Sequence, residues 1–180
     1  MAYHGVLIPE QIAAMNIDSL NRSVVDVADI DNGHVMVMGA KSTTAGLSEV
    51  FEVSQPVTGA LTGLWMAYSG DEIVVTGARY KGLDPDPRNF FNAAGKVFSV
   101  YKPQLGDIIL VNAEALGGTF ILNTTTHVNA TDQSWALVWG NSQTASVLSY
   151  KLLSVSYMSL ATGAIDSQRI TAYELECVGL

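Results

Sequence analysis

The chain has 180 residues, of which 48% are apolar and only 14% charged, with a net charge of −8. That length suits one ordinary domain with a sizeable core, and nine Lys and Arg scattered among 17 Asp and Glu form no clustered phosphate-binding surface, which argues against direct nucleic-acid binding and against an anionic membrane. A single cysteine, Cys177, leaves no disulfide framework or thiolate cluster, and neither a membrane-length apolar run nor a secretory signal pattern is present.

Residues 1–23 differ from the rest. Ile8, Ile12 and Met15 follow i, i+4, i+7 spacing, and Pro9 suits a first helical turn. The spacing predicts a short helix over residues 9–15, carried on an N-terminal arm that docks on its own domain or on a neighbouring subunit. Residues 24–39 read as a hairpin, with Val24, Val25, Val27 and Ile30 before Asn32-Gly33 and Val35 and Val37 after it. Asp29, Asp31 and Asn32 lack EF-hand spacing, because Gly39 stands where the bidentate Glu belongs. A loop over residues 40–46, a strand at Val50, Phe51 and Val53, and another at Ile73 to Val75 follow. Trp65 is either a core or an interface anchor.

Asp84-Pro85-Asp86-Pro87 offers two cap-then-proline starts for a short helix over residues 89–94, ending at Gly95. Two carboxylates are too few oxygen ligands for a metal. Residues 95–111 carry the clearest strand-turn-strand signal: β-formers to Tyr101, then Pro103 and Gly106-Asp107, then an apolar run from Ile108. Phe120 to Leu122 predicts a short strand, residues 123–134 a loop, and Trp135, Leu137 and Trp139 a strand buried on both faces or facing an interface. Leu153, Val155 and Tyr157 alternate with Ser154 and Ser156, as in a half-buried strand. The last strand, about residues 169–178, places Tyr173, Leu175 and Cys177 on one face.

The expected fold is all-β: a β-sandwich or partly closed β-barrel of about eight to ten short strands, with one or two short helices and an N-terminal arm. Residues 24–180 form the β domain, with a division near residue 117 into subregions that are not independent domains.

No catalytic signature is present. His4, His34 and His127 lack metal-ligand spacing, and His34 reads as an exposed turn residue. There is no Gly-x-Ser-x-Gly elbow and no phosphate loop after Gly59 or Gly63. No catalytic residue, cofactor or metal is predicted. The sequons at Asn123 and Asn129 lie in a Thr-rich loop and read as chance. Cys177 reads as a buried hydrophobe.

In order along the chain, Asp29-Ile30-Asp31-Asn32-Gly33, the Val-rich segment to Gly39, Glu49-Val50-Phe51, Phe90 and Phe91 with Ala94-Gly95, and Tyr101 with Leu105-Gly106-Asp107-Ile108 resemble small head-associated structural proteins of tailed bacteriophages. The resemblance covers about residues 24–116; the C-terminal third carries no matching motif. It implies a non-enzymatic capsid decoration or cement protein, made in the host cytoplasm and attached to the major capsid protein on the virion surface as a homo-oligomer. No family binding residue carries over. Ile8, Ile12 and Met15 on the arm, with Trp65, Trp135 and Trp139, are the candidate interface residues. The alternatives are a carbohydrate- or cell-surface-binding module with Trp135 and Trp139 as its platform, and a tail or connector component.

Overall fold

Alternating apolar and polar residues, broken by Gly and Pro, fold into fourteen strands in the computed structural model, which describes residues 3–70, 72–75, 78–81, 86–120, 126–161 and 167–180. In chain order they are β1 (Leu7–Gln11), β2 (Asn21–Val25), β3 (Val35–Lys41), β4 (Phe51–Ser54), β5 (Trp65–Ala67), β6 (Glu72–Val75), β7 (Ala78–Lys81), β8 (Val97–Tyr101), β9 (Ile108–Asn112), β10 (Leu116–Gly117), β11 (His127–Asn129), β12 (Leu137–Gly140), β13 (Ser149–Ala161) and β14 (Ser167–Gly179). The fold is all-β. A closed barrel, β2-β4-β3-β5-β8, stands against a seven-stranded sheet ordered β1-β9-β14-β13-β11-β12-β10, and β6 and β7 pair with each other. The only helical turns among the described residues are 3-10.

Two predicted hairpins prove to be strands of the right place and the wrong partner. The Asp31–Asn32–Gly33–His34 turn forms, closed by the His34 N–H on the Asp31 carbonyl at 3.2 Å. Only Gly33 has positive φ, +90°, which makes it a type II geometry rather than the type I′ turn that joins hairpin strands. The flanking strands splay, and β4 enters between them, parallel to β2 and antiparallel to β3. Likewise β8 closes the barrel on β2 and β5, whereas β9 lies in the sheet between β1 and β14. The turn between β8 and β9 is therefore a crossover from barrel to sheet, and since β1 also lies in the sheet, the two assemblies are not divided at one point of the chain. Gly106, at φ +87°, lets its N–H reach the Cys177 carbonyl at 2.9 Å, while the Cys177 N–H meets the Asp107 carbonyl at 2.8 Å. The crossover is pinned to β14.

Residues 3–23 do not form a separate arm. Instead of a helix over residues 9–15, β1 pairs with β9 (Leu7 opposite Val111, Pro9 opposite Ile109) and one 3-10 turn follows at Ala13–Met15. Strand wins because β1 lies on the outer edge of the sheet, where the missing N–H of Pro9 breaks no ladder bond. The chain before it is stitched down as well. The His4 N–H donates to the Arg88 carbonyl at 2.8 Å and the Val6 N–H to Asn112 Oδ1 at 2.8 Å, and Asn112 Nδ2 donates to the His4 carbonyl at 3.1 Å.

One face of the barrel (Val35, Met66, Tyr101) packs on the sheet residues Leu7, Ile109, Val111, Tyr150 and Leu175 as one core. The opposite barrel face gathers Val24, Ile30, Met36, Ala67, Phe98 and Val100. Each such buried side chain contributes roughly 1.5–3 kcal/mol. Tyr173, Leu175 and Cys177 of β14 are buried as the alternation predicts.

Smaller departures are local. The predicted helix over residues 89–94 is a single 3-10 turn at Pro87–Asn89, started by Asp86, whose side chain accepts the Arg88 N–H. Asp84 and Pro85 lie outside the described residues, as do Ile121, Leu122 and Asn123. Residues 123–134, read as a loop, contain β11, which bridges β12 and β13. On β13 the expectation reverses: Leu153, Val155 and Tyr157 are exposed. Both β13 and β14 are 13 residues long. β11 accompanies β13 only over residues 149–151, and β9 accompanies β14 only over residues 172–176. Beyond Ser156 and Ala172, among the described residues, β13 and β14 run on as a two-stranded ribbon, and on it Met158 is buried beside Val6, Leu110 and Ala172.

Candidate interaction surface

The six candidate interface residues divide into three groups. Ile12 is 6% exposed and belongs to the main core, because the chain turns inward after β1; it is withdrawn as a contact residue. Trp65 and Trp135 are half-buried against the barrel cluster, with the Arg22 guanidinium 5.7 Å from the centre of the Trp65 ring. Trp139 sits in a different cluster, 4.9 Å between ring centroids from both Phe120 and Tyr173. Trp135 and Trp139 thus pack on separate clusters. Ile8 and Met15 remain exposed.

Met15 is one lip of an open groove of about 420 Å³ lined by Glu10, Gln11, Ile12, Ala13, Asn16 and the crossover residues Leu105, Gly106 and Asp107. Leu105, the other lip, is 64% exposed and Met15 58%. Asp107 clasps the two walls. Its Oδ1 accepts the Ala13 N–H at 2.9 Å, and its Oδ2 accepts the Gln104 N–H at 2.8 Å. Two flexible apolar side chains are therefore held at fixed backbone positions, with the exposed Glu10 carboxylate beside them. Such a groove can bury an apolar side chain of a partner between its lips. A second, more polar groove of about 520 Å³ is lined by Asn21, Arg22, Glu49, Tyr68 and Ser99.

No family model, curated protein or solved structure matches the chain. Its chemistry is thus read from its own side chains.

The fold brings His4 and His34 together on Asp31, a convergence the sequence spacing does not display. His4 Nδ1 donates to Asp31 Oδ1 at 2.8 Å, the Gly5 N–H to Asp31 Oδ2 at 2.9 Å, and the Asp31 N–H to His34 Nδ1 at 3.2 Å. His34 is half-buried rather than exposed. Burial lowers its pKa, as does the neighbouring His4, while the Asp31 charge opposes them. A ring nitrogen that accepts a backbone N–H must itself be unprotonated. The His4 ring stacks on Phe91 at 4.7 Å, so this cluster fastens the N-terminal segment to the barrel turn.

Several other polar groups are engaged within the fold. Asp86 and Arg88 form a buried bidentate pair, with Arg88 Nη2 2.7 Å from Asp86 Oδ2, and the Arg88 hydrogen bonds hold the Asp86 carboxyl below its usual range. The Arg88 guanidinium also lies 3.9 Å from the centre of the Tyr3 ring. Asn129 is buried, accepting from Ser149 Oγ at 2.7 Å and the Thr144 N–H at 3.1 Å, so its sequon is occupied by structure. Burial pushes the Cys177 thiol up to about 12, which keeps it protonated and unreactive at neutral pH. Among the described residues, no three of His, Cys, Asp and Glu gather as a metal set.

Proposed function

We propose that the chain is a non-enzymatic structural protein of a tailed-bacteriophage virion, a decoration or cement protein that attaches as a homo-oligomer to the major capsid lattice and stabilises the head. The observation that carries the attachment is the groove between Met15 and Leu105: two solvent-facing apolar side chains on backbone fixed by Asp107. The ordered motifs over residues 24–116 support the phage-head assignment. Asn32-Gly33 serves there as the turn between two barrel strands, and Gly106-Asp107 as the turn from barrel to sheet. The low charge supports a surface that packs against protein, and the net charge of −8 supports an outward position away from packaged DNA. Cementing then adds buried interface across subunit seams and opposes the pressure of the genome.

Quantitative mass spectrometry of purified virions of the encoding phage tests this. Capsid-scale copy number is the expected result. Absence from particles overturns the proposal, and a few copies per particle would move the protein to the tail or connector. With purified protein re-added to heads lacking it, the Met15→Asp/Leu105→Asp variant should lose attachment while keeping the wild-type circular dichroism spectrum. Unchanged attachment would remove the groove from the contact.

A further inference from the structure

We propose that Met15 is an oxidation site: hydrogen peroxide converts its thioether to the sulfoxide in the folded chain, ahead of the other described methionines, and the oxidised lip of the groove releases the chain from the capsid lattice. The release rests on the reading of the groove in the preceding section. The oxidation rests on the setting of Met15 alone.

The fold sorts the six methionines. Met1 lies outside the described residues. Met36 and Met66 are fully buried and Met158 is 4% exposed, while Met38 is half-buried against the barrel cluster. Met66 Sδ also accepts the Tyr101 hydroxyl at 3.2 Å, which occupies a sulfur lone pair. Met15 differs from these four: it is 58% exposed. Its neighbours explain why. Ile12 and Ala14 are buried, and the 3-10 turn Ala13–Met15 points successive side chains to different sides of the chain. Turning Ala14 inward therefore turns Met15 outward. The backbone that presents it is held. The Met15 N–H donates to the Ile12 carbonyl at 3.2 Å, and the Ala13 N–H donates to Asp107 Oδ1 at 2.9 Å.

The step is a transfer of one oxygen atom. A lone pair on Met15 Sδ attacks one oxygen of the peroxide, an S–O bond forms and the O–O bond breaks. The sulfur loses an electron pair, and the departing hydroxide takes the proton of the attacked oxygen and leaves as water. Hydrogen peroxide is uncharged, so neither the Glu10 carboxylate on the groove nor the net charge of −8 repels it. The product is a polar, chiral side chain, with an oxygen acceptor where the lip was apolar. Leu105, the opposite lip, has no side-chain donor for it. An apolar partner side chain seated between the lips would bury that oxygen without a hydrogen bond, which is unfavourable. The thioether lies at the surface, so the fold itself should not register the change. Reductases specific for each sulfoxide epimer, drawing electrons from thiols, restore the original side chain.

A time course of the purified full chain in hydrogen peroxide at neutral pH, read by peptide mass mapping, tests the site. Met15 should gain one oxygen at least about tenfold faster than Met36, Met66 and Met158, which react only when the core opens. The melting curve should stay unchanged while Met15 alone is oxidised. Oxidation of Met66 or Met36 at the rate of Met15, or a melting curve that falls as Met15 reacts, overturns the site. Release is tested by re-adding the oxidised chain to heads lacking it. Oxidised wild type should fail to attach, and treatment with both classes of sulfoxide reductase and a thiol should restore attachment. Met15→Leu, which keeps an apolar lip without sulfur, should attach before and after peroxide. Attachment by oxidised wild type, or loss of attachment by peroxide-treated Met15→Leu, overturns the release. Peptide mapping needs no capsid, so the oxidation site stands or falls independently of lattice attachment. Untreated chain that never attaches to heads would instead overturn the reading of the groove, and the release with it.

Discussion

The Asp107 carboxylate accepts the Ala13 backbone N–H at 2.9 Å across 94 residues of chain. With its second oxygen on the Gln104 N–H at 2.8 Å, one buried side chain ties the end of β1 to the crossover between barrel and sheet. Asp107→Ala leaves two N–H groups without their charged acceptor and should cost about 3 kcal/mol, with Asp107→Asn losing roughly half as much because one oxygen remains. Urea unfolding followed by Trp fluorescence reads this as a lower midpoint at constant slope. An unchanged midpoint for Asp107→Ala would show that the clasp contributes nothing.

Acid should loosen the N-terminal segment through His34. Its folded pKa is lowered from 6.5, first by burial. Below that value the unfolded chain takes up a proton that the folded chain refuses, so stability is full above it and declines as pH falls. The thermal midpoint should therefore drop between about pH 7.5 and about pH 5.5. His34→Gln, which keeps an acceptor for the Asp31 N–H without a titrating ring, should flatten that part of the profile. A His34→Gln profile as steep as wild type would assign the pH dependence to other groups.

Tyr150 offers a stabilising substitution. Its side chain is wholly buried, and among the described residues its hydroxyl is the one buried side-chain polar atom without a hydrogen-bond partner. The Tyr101 hydroxyl neighbours it in the same core but donates to Met66 Sδ at 3.2 Å. Tyr150→Phe removes an unmade hydrogen bond and keeps the ring, so it should raise stability by about 1 kcal/mol, or about 2–4 °C in Tm. A lower Tm would mean that the two hydroxyls satisfy each other.

The local grammar of the chain was legible and its pairing was not. Alternation marked the buried face of β14, the Asp86-Pro87 pair marked a helical start, and Gly33 and Gly106 marked turns, because each depends on neighbours in sequence. Which strands lie side by side depends on the whole chain. Nothing near Val24 or Val35 announces that β4 will separate them, and nothing near Tyr101 or Ile108 announces different sheets. The ribbon misled for a related reason. Val155 and Tyr157 carry the pattern of a buried face yet are 41% and 55% exposed, because burial also needs a covering layer, which alternation along one strand does not report. His4 and His34 meet only because β1 is laid beside β9, so their shared carboxylate had no signature in spacing.

β9 lies between β1 and β14, the first and last strands described. During synthesis the N-terminal strand must wait for β9 to emerge, about a hundred residues later, and β9 must then wait for β14. Pairings so distant along the chain are slow to close. A nascent chain stopped after the barrel therefore exposes β1 without its partner, and the ribosome must release the chain through β14 before the sheet can form.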